Sequence, residues 1–130
     1  MYGFATHNRA GEIVYKRIAP FTQVIPGVGT VQVYTYSITL TKYTDDGPGI
    51  ADRCVDTIYF GDGQRGIADR INGPSTFCDC DLHCGEIVIN DPGYTVKKNI
   101  YTIVHTYSGS GSYLIHSYDP NRNNNVINIP

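Results

Sequence analysis

The side chains with the most reactive chemistry in this sequence are four cysteines, three of which fall in the heptapeptide CDCDLHC. Thiols of this kind either oxidise to disulfides or bind zinc as thiolates. In an exported protein, an even number of closely spaced cysteines predicts a disulfide framework. We therefore expect two disulfides, formed by Cys54, Cys78, Cys80 and Cys84.

Spacing limits how these cysteines can pair. A bridge between Cys78 and Cys80 would close a ring too tight for normal disulfide geometry. Two pairings remain, Cys80–Cys84 with Cys54–Cys78 and Cys78–Cys84 with Cys54–Cys80. Zinc is the alternative, since His83 adds another ligand to the cluster. Structural zinc sites usually present two C-x-x-C-like pairs, whereas Cys54 stands alone, so the spacing favours disulfides.

A glycine pattern in TIYFGDGQRG, residues 57–66, matches the spacing of a dinucleotide-binding fingerprint at Gly61, Gly63 and Gly66. That fingerprint needs a preceding strand and a following helix whose N–H groups meet the pyrophosphate. The residues after Gly66 allow at most two turns of helix before Gly73 and Pro74 end it. We therefore interpret the pattern as a turn and predict no cofactor.

Serine, histidine and aspartate also occur close together late in the chain, at His105, Ser108, Ser110, Ser112, His116 and Asp119. A Ser-His-Asp triad needs a serine held on a strained strand-to-helix turn or an equally rigid element. The serines here lie in SGSGS, a flexible linker composition. We predict no catalytic residues, and we interpret His105 as a strand residue that makes one buried hydrogen bond.

Metal ligands other than the cysteines are sparse. Asp45, Asp46 and Asp91 are candidates for calcium, but the alternating oxygen ligands and closing Glu of an EF-hand loop are missing. His7 and His116 have no carboxylate or cysteine pattern around them. The sequence predicts no metal site, and the aspartates are expected to be exposed turn residues.

The composition indicates the elements that position these groups. A chain of 130 residues corresponds to a single domain, residues 1–130. Eleven Tyr and fourteen Gly, together with many Val, Ile and Thr, are typical of strands and turns. The net charge of −2 and the mixed charges predict no nucleic-acid partner, and no apolar run is long enough for membrane insertion.

Alternating apolar residues between turn signals predict about seven or eight strands. The predicted strands are residues 11–18, 30–43, 55–60, 86–89, 100–107, 113–118 and 126–129. Within 30–43 the apolar phase changes at Val33 and Tyr34, which predicts a bulge or a strand buried on both faces. The fold class is therefore predicted to be an all-β antiparallel β-sandwich.

Two motifs in these strands carry a family resemblance. FGDG at 60–63 and HTYSGSGSY at 105–113 resemble the paired signature of polycystic-kidney-disease (PKD) domains, a branch of the immunoglobulin-like sandwiches. The resemblance implies structural roles for one set of residues: Phe60, Gly61, Asp62, Gly63, His105, Tyr107, Gly111 and Tyr113.

Physical chemistry agrees with those roles. Asp62 can accept hydrogen bonds from N–H groups of its own turn, while the flanking glycines supply positive φ. Tyr113 lies where a tyrosine corner would anchor the connection between sheets through its hydroxyl, at the start of the strand predicted there.

A second resemblance covers most of the chain. ATHNRAGEIVYKRI at 5–18, ADR at 51–53 and YDPNRNNNVINIP at 118–130 are similar to the amino-terminal module of large secreted surface proteins of Bacteroidota. Those proteins are often labelled gliding-motility-associated and use type IX secretion. The resemblance implies an outer-surface location, export through a removed signal peptide, and an amino-terminal fragment of a longer protein.

The function implied is a non-catalytic structural or adhesive module, linked to adhesion or gliding motility. Its expected partners are the other domains of the same surface protein. Two alternatives remain open. The tyrosines could form an exposed platform that binds surface glycans, although the chain has no Trp. The sandwich could also self-associate into a filament by adding strands to an open edge.

Overall fold

The structure is a computed structural model that describes residues 8–45, 53–73 and 85–118. In these ranges the chain forms eight strands and no helix, so none of them contains a helix that could cross a bilayer. The strands are β1 (Asn8–Ile18), β2 (Thr22–Ile25), β3 (Gly29–Gln32), β4 (Tyr34–Asp45), β5 (Val55–Tyr59), β6 (Arg65–Arg70), β7 (Glu86–Asp91) and β8 (Tyr94–Tyr107). All pairings are antiparallel, and the predicted all-β sandwich is confirmed.

Two long strands form the centre of the fold. β4 and β8 pair along their whole length, and β1 pairs with the other edge of β4. β7 covers only the first part of β8, and β6 meets β8 at Thr102 and Tyr101 alone. The strand order is β1-β4-β8-β6-β5, and the side chains of the β5–β6 hairpin pack over β4 and β8 in the buried core. We call β1, β4 and β8 the first layer, and β5 and β6 the second layer.

The core lies between these two layers. Its residues are mainly β-branched or aromatic and occupy every second position of their strands, as a half-buried strand requires. The buried cluster consists of Ile38, Leu40, Ile58, Phe60, Ala68, Tyr101 and Tyr107. Four strands, β4, β5, β6 and β8, thus contribute to one core, which fixes the position of the turn that follows β5.

The predicted strand at 30–43 is two strands. β3 pairs with β2 in a separate two-stranded sheet, and β4 begins at Tyr34 in the main sheet. Between them, the N–H of Val33 donates to the carbonyl of Phe21 at 2.9 Å. The change of apolar phase was placed correctly, but it marks a change of sheet and not a bulge.

The residues after Gly66, for which the sequence allows at most two turns of helix, form strand β6. Ala68 is fully buried while Ile67 is 65% exposed, which is the alternation of a strand. A Cβ on Gly66 would lie 2.9 Å from the Phe60 ring, so the glycine lets the second layer pack closely. Gly61, Gly63 and Gly66 thus lie in a β-hairpin and not before a helix.

The strand predicted at 113–118 is likewise not formed. Only His116 makes a bridge, pairing with Tyr59 at the end of β5. Tyr113 therefore lies in irregular chain and not at the start of a strand. The strand predicted at 126–129 lies outside the described residues.

Candidate functional site

The turn after β5 is built by its own side chain. The N–H of Phe60 donates to the carbonyl of Gln64 at 3.0 Å, and Oδ1 of Asp62 accepts the N–H of Gln64 at 3.0 Å. Gly61 and Gly63 have φ of 83° and 86°, a region that other residues rarely adopt. The glycine spacing therefore serves a tight hairpin turn.

Asp62 also reaches across to the first layer. Nε2 of His105 donates to Oδ2 of Asp62 at 2.8 Å. The imidazole stacks on the Phe60 ring, with centroids 3.8 Å apart and planes 6° apart. Burial acts to raise the pKa of Asp62, but the hydrogen bonds from His105 and Gln64 outweigh it and hold that pKa below its ordinary value.

Tyr107 holds the same turn through the backbone of Phe60. Its hydroxyl donates to the carbonyl of Phe60 at 2.7 Å, and its ring is in edge contact with His105. Burial raises the pKa of Tyr107 to about 12, and the negative charge of Asp62 adds to this effect. The hydroxyl therefore remains a donor throughout the neutral range.

Tyr113 completes the group. Its ring stacks on Tyr107 at 4.0 Å, and its hydroxyl donates to the carbonyl of Gly109 at 2.8 Å, the backward contact of a tyrosine corner. Gly111 lies against the Tyr113 ring, since a Cβ there would be 3.4 Å from it. We call Phe60, Asp62, His105, Tyr107 and Tyr113 the turn cluster.

The hydrogen bonds of the turn cluster connect the two layers. Asp62 orients His105 as an aspartate does in a triad, but within the described residues no serine hydroxyl bonds to a histidine. His116 stacks on Tyr59 and lies near the carbonyl of Leu114. Asp119 lies outside the described residues. Each polar side chain of the turn cluster is thus hydrogen-bonded to another group of the protein.

A second carboxylate–base pair was missed by sequence reasoning. Nζ of Lys42 contacts Oδ2 of Asp56, and the Ser117 hydroxyl donates to Oδ1 of Asp56 at 3.1 Å. The side chains of Lys42 and Asp56 are only 7% and 2% exposed. One signal was available, because Lys42 shares the inward phase of Ile38 and Leu40.

The predicted disulfides cannot be located in the structure. Cys54 precedes β5, is half-buried, and its carbonyl accepts the N–H of Arg70 at 2.8 Å. Cys78, Cys80 and Cys84 lie outside the described residues, as does His83. The two disulfides and their open pairing therefore remain predictions.

The other sequence candidates are scattered. Asp45 ends β4, Asp91 ends β7, and His7 and Asp46 lie outside the described residues. Among the residues that are described, no three His, Cys, Asp or Glu side chains lie together in a metal-binding arrangement.

A cleft opens beside the turn cluster, between the inner face of β1 and β4 and the segment 111–115. Its volume is about 320 Å³, and it is lined by Tyr15, Tyr36, Tyr107, Gly111, Ser112, Tyr113 and Ile115. We call it the tyrosine cleft. The sequence left a tyrosine platform open but did not place it, because the inward position of Tyr15 on an edge strand follows only from the sheet order.

Comparison with protein-family models, with curated proteins and with solved structures found no match to this chain.

Proposed function

We propose that this chain is a non-catalytic structural and adhesive module of a bacterial cell-surface protein, with an immunoglobulin-like sandwich of the PKD type. The observation that carries the proposal is the turn cluster. The two motifs that resemble the PKD signature, FGDG and HTYSGSGSY, meet in space through the contacts of Asp62 with His105 and of Tyr107 with Phe60.

The contacts of the turn cluster support a role in resisting mechanical force. His105 and Tyr107 belong to the first layer, whereas Phe60 and Asp62 lie in the turn that joins the two strands of the second. Two hydrogen bonds therefore tie the layers at one point. At the other end of β5, Lys42 and Asp56 tie the same layers again. A sandwich cross-linked at both ends resists separation of its layers, which suits a module under mechanical load.

Export is part of the same proposal and rests on the resemblance and the cysteines. Intact mass of the chain purified without reductant, with thiol labelling after denaturation and a zinc assay, tests it. We expect a mass lowered by two hydrogens per disulfide, no labelling and no zinc. Labelled thiols with bound zinc would contradict an oxidising location.

Single-molecule force spectroscopy tests the structural role. The chain is placed between handle domains of known unfolding force and compared with Asp62→Ala and with the matched control Asp91→Ala, an exposed carboxylate at the end of β7. We expect one cooperative unfolding event whose force falls in Asp62→Ala alone. Equal forces in all three proteins would contradict the proposal.

The non-catalytic part has its own test. The chain and His105→Gln are assayed against panels of ester and glycoside substrates. We expect no turnover by either protein. Turnover by the unmodified chain that disappears in His105→Gln would show that the Asp62–His105 pair is catalytic.

A further inference from the structure

We propose that the tyrosine cleft binds an uncharged saccharide, with one pyranose ring seated among Tyr15, Tyr36 and Tyr113. The inference deepens the adhesive part of the proposed function by naming its site and ligand class. It does not depend on the disulfides or on the turn cluster carrying load.

The cleft exists because the second layer does not cover the whole inner face of the first. The β5–β6 hairpin packs over β4 and β8, and Ile13 of β1 still packs against the core that it covers. Tyr15 is directed inward on β1, opposite Ile38, yet it is 67% exposed. The segment 111–115 forms the opposite wall, so the tyrosine is at the rim of a cleft and not on a flat sheet.

The chemistry of the lining selects the ligand. The described residues that line the cleft are aromatic, small or aliphatic, and none of them is charged. Aromatic faces carry negative charge density and attract the polarised C–H groups of a sugar ring, while hydroxyls exchange hydrogen bonds with sugar hydroxyls. A neutral polyol satisfies both kinds of group, whereas a charged ligand would be desolvated without a counter-charge.

Two hydroxyls are available for such a ligand. Within the described part of the chain, the hydroxyls of Tyr107 and Tyr113 donate to backbone carbonyls, whereas those of Tyr15 and Tyr36 make no hydrogen bond. Phenol hydroxyls at a binding surface usually find a partner there. Tyr15 and Tyr36 therefore supply the polar contacts, and Tyr113 supplies a ring.

The rings are held in place before any ligand arrives. Tyr15 meets Tyr36 edge to face at 5.8 Å, Tyr36 meets Tyr107 at 6.0 Å, and Tyr107 stacks on Tyr113. The last two rings are further fixed by their hydroxyl contacts. A volume of about 320 Å³ lies at the lower end of small-molecule sites, which fits one or two sugar units.

The experiment is a glycan array of neutral and anionic oligosaccharides, followed by NMR titration with the best neutral glycan. Tyr15→Ser removes an exposed wall of the cleft, and Tyr94→Ser is the matched control, an exposed tyrosine on the far end of β8. We expect neutral glycans to bind, shifts at Tyr36 and Tyr113, and affinity about tenfold weaker in Tyr15→Ser only. Both variants should unfold cooperatively, so that weaker binding by Tyr15→Ser reflects the lost ring and not a lost fold.

A second variant tests the cleft without removing the Tyr15 ring. Gly111→Ala places a methyl group in the cleft at ordinary contact distance from Tyr113, and we expect it to weaken binding without changing the melting temperature. Binding of no neutral glycan, binding of anionic glycans alone, or equal binding by Tyr15→Ser would overturn the inference. The force measurements above would be unaffected, so its failure is distinguishable from failure of the structural proposal.

Discussion

Two carboxylates at opposite ends of the β5 hairpin arm each pair with a base from the first layer, but they do so in different surroundings. Asp62 lies at the turn, is partly exposed, and binds His105 and the backbone of its own turn. Asp56 lies within the strand, is almost fully buried, and binds Lys42 and Ser117. The two pairs hold the same layers together.

The two pairs differ in how far each carboxylate is exposed to water, and therefore in the energetic cost of losing its partner. Asp62 can be solvated where it stands, so its pair contributes through the geometry of the turn. Asp56 and Lys42 are both removed from water. In such a pair, the loss of one partner leaves a buried charge uncompensated. Both pairs are therefore expected to hold the layers together, with the buried pair contributing more to the free energy of unfolding than the turn pair.

Asp56→Ala tests the buried pair directly and should have the largest effect. We expect the free energy of unfolding to fall by about 3 to 5 kcal/mol, since Lys42 would be left in a buried site without its carboxylate. Urea denaturation measures this, with Asp91→Ala as control. The double variant Lys42→Met/Asp56→Leu should recover most of the loss, and an unchanged Asp56→Ala would show that the pair is solvated.

The turn pair should show a smaller effect. Asp62→Ala removes the acceptor of His105 and of the Gln64 N–H, and we expect a loss of about 2 kcal/mol by the same denaturation measurement. A loss equal to that of Asp56→Ala would remove the distinction between the two pairs.

Tyr107→Phe sharpens the comparison by removing one hydroxyl from the turn cluster. The ring stays in the core, but the carbonyl of Phe60 loses its donor, and we expect a loss of about 1 kcal/mol. Tyr36→Phe serves as the control. It removes a hydroxyl that lines the tyrosine cleft, and it should change stability little. Equal melting temperatures for Tyr107→Phe and the unmodified chain would mean that the Phe60 carbonyl is satisfied by water.

The smallest expected effect is a dependence on pH. Because the pKa of Asp62 is lowered in the folded chain, its stabilisation is present above the unfolded pKa of about 3.9 and is lost as the pH falls through the folded value. Stability measured between about pH 5 and pH 2 should fall less steeply in Asp62→Asn. Identical slopes would show that Asp62 has the same pKa in both states.

Local patterns in the sequence found the turn pair and missed the buried one. FGDG identifies Asp62 because adjacent residues encode the turn, and apolar runs between turn signals identify β1, β5 and β8 for the same reason. Lys42 and Asp56 come from different strands, so their contact follows only from how the layers pack.

Errors in the strand assignment have similar causes. The turn interpreted from the glycine pattern included Gly66, which is instead a strand residue whose missing side chain admits Phe60 and Ile103. The residues after Tyr113 have the pattern of a strand but form a single bridge to Tyr59. In both cases a tertiary contact overrides a local preference.

The β2–β3 hairpin has a consequence for how this protein could change in length. The chain enters and leaves the hairpin at one point, where the N–H of Val33 meets the carbonyl of Phe21 and the guanidinium of Arg17 lies over the Phe21 ring. Residues inserted near the tip, between Pro26 and Gly29, would lengthen an exposed arm without moving β4 against β1. The hairpin is therefore a natural position for displaying a foreign peptide or epitope on this scaffold.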